Sequence, residues 1–121
     1  MAPEFGQVRE VERQEFLHEV DGVPKNVYVV VHIYEPYIHA CQVMNRSLEL
    51  IAQKFTQVKI LRMRSIHMGD DYDHVALPTL MIYCNKELVA CSTRITDDLG
   101  ETFTKADVES LLAENGVIEI C

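Results

Sequence analysis

Long hydrophobic runs are missing from this sequence. Its most apolar stretch, Val27 to Tyr34, is short, whereas a helix that crosses a bilayer needs about 20 apolar residues. No segment is expected to span a membrane. The opening, Met1-Ala2-Pro3-Glu4-Phe5-Gly6-Gln7, has no apolar core, so no secretory leader is expected. That opening fits a native start or a cloning remnant equally well. Basic residues are scarce: 11 Lys and Arg stand against 19 Asp and Glu, a net charge of −8. Such a chain lacks the electrostatic footprint for a nucleic-acid backbone. It is equally unsuited to an anionic membrane surface, although a basic protein partner is permitted. Cysteine is sparse and unpaired. Cys41, Cys84, Cys91 and Cys121 make no C-x-x-C and no disulfide framework, which implies free thiols in a reducing compartment, the cytoplasm. No phosphate-binding glycine loop, dinucleotide fingerprint or nucleophile elbow occurs, and Ser47, Ser65, Ser92 and Ser110 lie in no nucleophile context. No cofactor is therefore expected. Repeats, linkers and composition shifts are absent too.

What remains is ordinary. In 121 residues, 48% are hydrophobic and 25% charged, the usage of one globular domain over residues 1–121. Such a domain buries roughly two-thirds of its unfolded surface, enough to fold without a disulfide or metal. Val8 to Glu10 can form a short strand. From Arg13 to Val20, Phe16, Leu17 and Val20 share a helical face, with Gly22 at the C′ position. Val27 to Tyr34 reads as a strand covered on both faces. From about His39 the period turns helical: Met44, Leu48, Ile51, Ala52 and Phe55 form one stripe. Val58 to Met63 reads as a strand, and Ile66 to Val75 as a loop or short helix. Thr79 to Tyr83 and Leu88 to Ser92 flank Asn85-Lys86-Glu87 as an antiparallel hairpin. The last helix has the clearest start. Thr104 and Asp107 make a capping-box pair with Asp in place of Glu or Gln, and Phe103 and Val108 make a hydrophobic staple. The order β-α-β-α-β-loop-β-β-α predicts a mixed four- to five-stranded sheet with helices on both faces.

That order resembles the α/β thioredoxin-like fold. Ala76-Leu77-Pro78-Thr79-Leu80 is similar to its cis-proline segment, and Tyr34 to Cys41 stands at its active-site corner. Over its whole length the chain resembles more closely the thioredoxin-like domain of the phosducin and phosducin-like proteins. The matching stretches are Phe5 to Val11, Val31 to Glu35, Leu77 to Tyr83, and Thr96 to Gly100 leading into Ala106 to Glu109. The resemblance implies a cis Leu77-Pro78 bond. It also implies a co-chaperone that binds the cytosolic chaperonin and modulates folding of its clients (actin, tubulin and G-protein β subunits), or a regulator that sequesters the G-protein βγ dimer. Members carry a helical N-terminal region ahead of this domain. It is absent here, so the expectation is a truncated chain or a short member. The Phe5-Gly6 start and the lone Cys41 look like the chaperonin-directed branches. Val31 to Glu35 and Thr96 to Gly100 look like the G-protein-directed ones, and the two stay open.

Dithiol exchange needs an attacking thiolate and a resolving thiol in one turn. Laid on a thioredoxin, Cys41 falls on the resolving position and Ile38 on the attacking one. Two-electron dithiol chemistry is therefore not expected, and no catalytic residue is assigned; a monothiol redox role for Cys41 is the alternative. Cys41 reads either as a thiol activated in the first helical turn or as a small buried hydrophobe, the commoner case. His32, where thioredoxins often keep a buried acid, either tunes a thiol or is simply paired in the core. Cys84 and Cys91 have a chance to approach across the hairpin, and Cys121 is expected to be exposed. His67, Asp70, Asp71, Asp73 and His74 fit no metal motif and read as a solvated loop. Two acidic loops, carrying Asp70, Asp71 and Asp73 and then Asp97, Asp98 and Glu101, are candidates for a partner's basic patch or are solubilising surface.

Overall fold

A computed structural model describes residues 4–120. Its five strands are β1 (Val8–Glu10), β2 (Tyr28–Tyr34), β3 (Lys59–Arg64), β4 (Thr79–Cys84) and β5 (Glu87–Ser92). Its helices are α1 (Arg13–Asp21), α2 (His39–Lys54), the single turn α3 (Thr96–Leu99) and α4 (Lys105–Glu114). The sheet order is β1-β3-β2-β4-β5. The β1–β3 and β2–β3 pairs run parallel, and β2–β4 and β4–β5 antiparallel.

β2 sits at the centre because it is apolar on both faces. Every residue from Val29 to Tyr34 is buried. Successive side chains on a strand point to opposite faces, so β2 feeds two cores. On one face Val30, Ile60, Leu80 and Ile82 meet Met44, Leu48, Ile51 and Ala52 of α2 and Val108 and Leu112 of α4. On the other, Val29, Val31, Ile33, Leu61 and Met63 meet Val20 and Phe16 of α1. Tyr72 and Leu77, from the connection between β3 and β4, complete that second face. That connection contains two single 3₁₀ turns, Ser65–Met68 and His74–Ala76, so both the loop and the short-helix reading of this stretch were partly right.

Caps position α4. The Thr104 hydroxyl and the Asp107 carboxylate form the reciprocal box, with Thr104 N–H donating to Asp107 at 2.9 Å. At the other end Val117 N–H reaches Leu112 O at 2.9 Å and Gly116 N–H reaches Ala113 O at 3.0 Å, with Gly116 at φ +77°. This is the Schellman pattern, and its left-handed residue favours glycine.

Several expectations need correction. Leu17 does not face the core; it is 66% exposed, because the core side of α1 is filled by Phe16 and Val20. Gly22 has φ −83°, so it is no left-handed cap. Its lack of a side chain matters differently: a Cβ there would lie 2.7 Å from the His18 carbonyl oxygen. The hairpin turn is Asn85-Lys86 alone, at φ +53° and +68°, and Glu87 already belongs to β5. Positive φ at both central residues is what a tight two-residue turn matching the strand twist requires. Cys84 and Cys91 do not meet: Cys84 pairs with Glu87, and Cys91 with Met81. Cys121 lies outside the described residues. Thr96–Leu99, read within an acidic loop, forms a helical turn instead. No helix among the described residues is long and apolar enough to cross a membrane.

Candidate functional site

The corner between β2 and α2 forms because β2 ends at Tyr34 and Pro36 interrupts the chain before the helix. Ile38 takes the N-cap position at φ −92° with no side-chain cap, and it packs against the second core. Cys41 follows in the first turn and is completely buried. Burial pushes its thiol up, and the Glu35 backbone N–H only partly offsets that. A buried neutral thiol is a poor nucleophile, since exchange requires thiolate and access. No second described thiol stands in the turn. The Leu77-Pro78 bond beside this corner is cis. The Pro78 carbonyl accepts from Ile95 N–H at 3.0 Å, and Ala76 O accepts from Arg94 N–H at 2.7 Å. Tyr72 and Thr79 share a hydroxyl bond at 2.9 Å, and Thr79 also donates to Ala76 O at 2.7 Å. A shallow groove of about 460 Å³ runs past the corner, lined by Ile38, His39, His74, Leu77, Arg94 and Glu101 among others.

His32 lies deeper, between the sheet and α2, and is fully buried. Its Nδ1 is 2.8 Å from the Asn45 Oδ1. An amide oxygen can only accept, so Nδ1 carries the proton. Nε2 is then a bare lone pair with no hydrogen-bond partner. The ring stacks on Tyr34 with centroids 5.5 Å apart. Burial lowers its pKa to about 4, against the opposing effect of the hydrogen bond it donates to Asn45 and with help from Arg62. The imidazole is a neutral core group. It is joined to α2 through Asn45, not to the Cys41 thiol.

A second constellation was invisible in the linear pattern. Glu35, the first residue after β2, is 4% exposed. Its Oε1 accepts from Arg64 at 2.6 Å. Its Oε2 accepts from the Ser65 hydroxyl at 2.6 Å and from Ser65 N–H at 3.2 Å. Burial raises the Glu35 pKa, but the Arg64 and Ser65 donors outweigh it and hold the carboxyl below its ordinary 4.5. Ser65 Oγ also lies 3.3 Å from His74 Nε2, and His74 Nδ1 bonds the Tyr37 hydroxyl. Because Ser65 donates to Glu35, it accepts from His74 Nε2–H, and Tyr37 donates to Nδ1. The chain of donors runs one way, from Tyr37 to Glu35. Ser65 is therefore held in a structural clasp; it is buried, and its hydroxyl proton is already committed. The signal available in sequence was a lone acid directly after an apolar strand. Its partners lie 29 and 30 residues away.

The structure disperses the other candidate residues. Asp70 and Asp71 are exposed between the two 3₁₀ turns, and Asp73 caps the second by accepting from Val75 N–H at 2.9 Å. Asp97 pairs with Arg94 at 3.4 Å. Asp98 faces α4, in a groove with Asp107 and Glu114. Glu101 lies in the groove beside the corner. His67 stands 3.9 Å from Glu12 and His74 is engaged in the clasp, so the two do not converge with the aspartates. Among the described residues no three His, Cys, Asp or Glu side chains gather as a metal cage.

A family model described as Phosducin matches residues 1–120. Phosducin-like protein 1 of Dictyostelium discoideum is 32% identical over 94% of this chain and 36% of its own length. Phosducin of Bos taurus is 35% identical over 96% of the chain and 49% of its length. Phosducin-like protein of Rattus norvegicus is 37% identical over 96% and 40%. The chain thus spans less than half the length of these curated relatives. Among solved structures, spinach chloroplast thioredoxin f aligns with a TM-score of 0.67 at 19% identity, covering 93% of this chain and 97% of its own. A Halobacterium salinarum thioredoxin variant aligns at 0.69 and 16% identity, over 100% and 99%. At those identities the likeness concerns the thioredoxin fold alone.

Proposed function

Because the chain belongs to the phosducin family, we propose that this domain is a non-enzymatic co-chaperone or regulatory binding module. On this reading it works in the cytoplasm, on the cytosolic chaperonin and its clients or on the G-protein βγ dimer. The match over residues 1–120 carries the reading. The corner chemistry agrees with it: Ile38 stands where a dithiol catalyst needs its attacking thiol, and Cys41 is buried and neutral. The monothiol redox alternative has no observation in its favour. The negative charge suits a partner with a basic face. Affinity capture from cytosolic lysate, read by mass spectrometry, tests the assignment. Chaperonin subunits or a G-protein β subunit recovered with the domain would support it. Recovery of neither, together with Cys41-dependent turnover in an insulin-reduction assay, would replace it with the redox reading.

A further inference from the structure

Resting on the binding-module reading, we propose that the groove between Tyr37 and Ile66 is a docking surface for a basic, apolar-anchored segment of a partner protein. The groove holds about 370 Å³ and shares His74 with the groove at the cis-proline corner; Tyr37, Ile66 and Tyr72 line it together with Asp70, Arg64 and the clasp residues. Tyr37 is 64% exposed and Ile66 58%, although both are large and apolar. Met68 and Val75 of the same connection are exposed as well, Val75 in the groove at the cis-proline corner. Exposed apolar side chains that cluster, instead of scattering, mark interaction surfaces.

Charge selects the occupant. Asp70, Asp71 and Asp73 are exposed. None of them takes part in an ion pair among the described residues. The nearby cations are already engaged. Arg64 holds Glu35, and Arg13 donates to the Ile66 and His67 carbonyls at 3.2 and 2.9 Å. His67 faces Glu12. The three carboxylates therefore stand without an ion-pair partner among the described residues, and Asp70 lines a cleft in which Tyr37, Ile66 and Tyr72 sit beside the engaged Arg64. A Lys or Arg side chain fits this pairing, with its stem on Tyr37 and its charge toward Asp70. An adjacent apolar side chain would fill the space against Ile66. The floor is preorganised, because the Tyr37–His74–Ser65–Glu35 clasp fixes the cleft's walls before any partner arrives.

The test is a titration of the ¹⁵N-labelled domain with a synthetic amphipathic Leu/Lys helix peptide and with its Leu/Glu counterpart. The Leu/Lys peptide should shift the amides of Tyr37 and of residues 66–73 in a saturable way, and the Leu/Glu peptide should not. Replacing Asp70→Lys and Asp71→Lys together should weaken binding roughly tenfold or more. Both residues are exposed, and an otherwise unchanged spectrum would show that the fold is intact. Shifts centred elsewhere, such as the β5 edge, equal binding of the Leu/Glu peptide, or no shifts at all would overturn the surface. The family reading is tested separately. Capture of chaperonin or G-protein β by the wild type and equally by the double variant would overturn this surface and leave that reading standing. Capture of neither by the wild type would count against that reading, and the peptide titration would still decide the surface.

Discussion

Acidification should destabilise this domain through His32, in a window above the one where its carboxylates act. The perturbation is a shift from pH 7 toward pH 4, in the wild type and in His32→Leu. His32 titrates near 4 in the folded chain, against an ordinary value of 6.5. Between those values the unfolded chain binds the proton and the folded chain does not. Stability therefore rises with pH across the window and is lost as pH falls. The His32 contribution is fully present above about pH 6.5. Integrating the linkage gives a loss of about 2 kcal/mol from pH 7 to 5 and about 3 kcal/mol by pH 4. Against a typical total of about 5–15 kcal/mol, that is a large share. Glu35 acts in the same direction but lower down. Its folded carboxyl lies below 4.5, so its contribution is present above the unfolded value and is lost as pH falls below that. Measurements at pH 5 and above thus isolate the histidine. His32→Leu puts an apolar group of similar size in the place of the imidazole, removes the unpartnered Nε2, and leaves the half-buried Asn45 amide within reach of water. Urea denaturation followed by circular dichroism, at pH steps from 7 to 5, should show a slope in the wild type that the variant lacks. Parallel stability curves for the two proteins would refute the buried, neutral assignment of His32.

Other substitutions should separate the packing claims. Leu112→Ala should cost about 2–5 kcal/mol in denaturant unfolding, because the side chain is fully buried between α4 and α2; Leu17→Ala should stay within about 0.5 kcal/mol, and equal costs would contradict the assigned face of α1. Gly22→Ala should destabilise by about 1–3 kcal/mol, since the new methyl meets a backbone oxygen that cannot step aside; a neutral result would show that the turn after α1 relaxes. Under native conditions iodoacetamide should modify the exposed Cys91 well before the buried Cys41, and peptide mapping that finds Cys41 alkylated first would reopen the redox reading.

The legible parts of the fold were those whose signal is local. Val27 to Tyr34 announces a doubly covered strand through its unbroken apolar run. Met44 to Phe55 announces a helix by its period, and Thr104 with Asp107 announces a helix start by chemistry confined to four consecutive residues. The corner between β2 and α2 was equally legible, because proline and cysteine positions survive without knowledge of packing. What escaped notice depends on partners distant in sequence. Leu17 looks like a core residue until Phe16 and Val20 are seen to fill that side of α1. The register of the hairpin, set by two residues at positive φ, carried Cys91 away from Cys84. The Glu35 clasp draws on β3 and the β3–β4 connection, so no window of sequence contains it. The acidic residues read alike in sequence, yet Asp97 is paired, Asp98 faces α4 and Asp70 lines the groove between Tyr37 and Ile66.

Titration of the isolated domain against purified chaperonin and purified G-protein βγ dimer, at low and high salt, tests whether these residues form a binding module. A binding module of this charge should bind at least one of them saturably, and more weakly as salt rises, since exposed charges are screened beyond about 8–10 Å near physiological ionic strength. No detectable binding to either at any salt would contradict the binding-module reading.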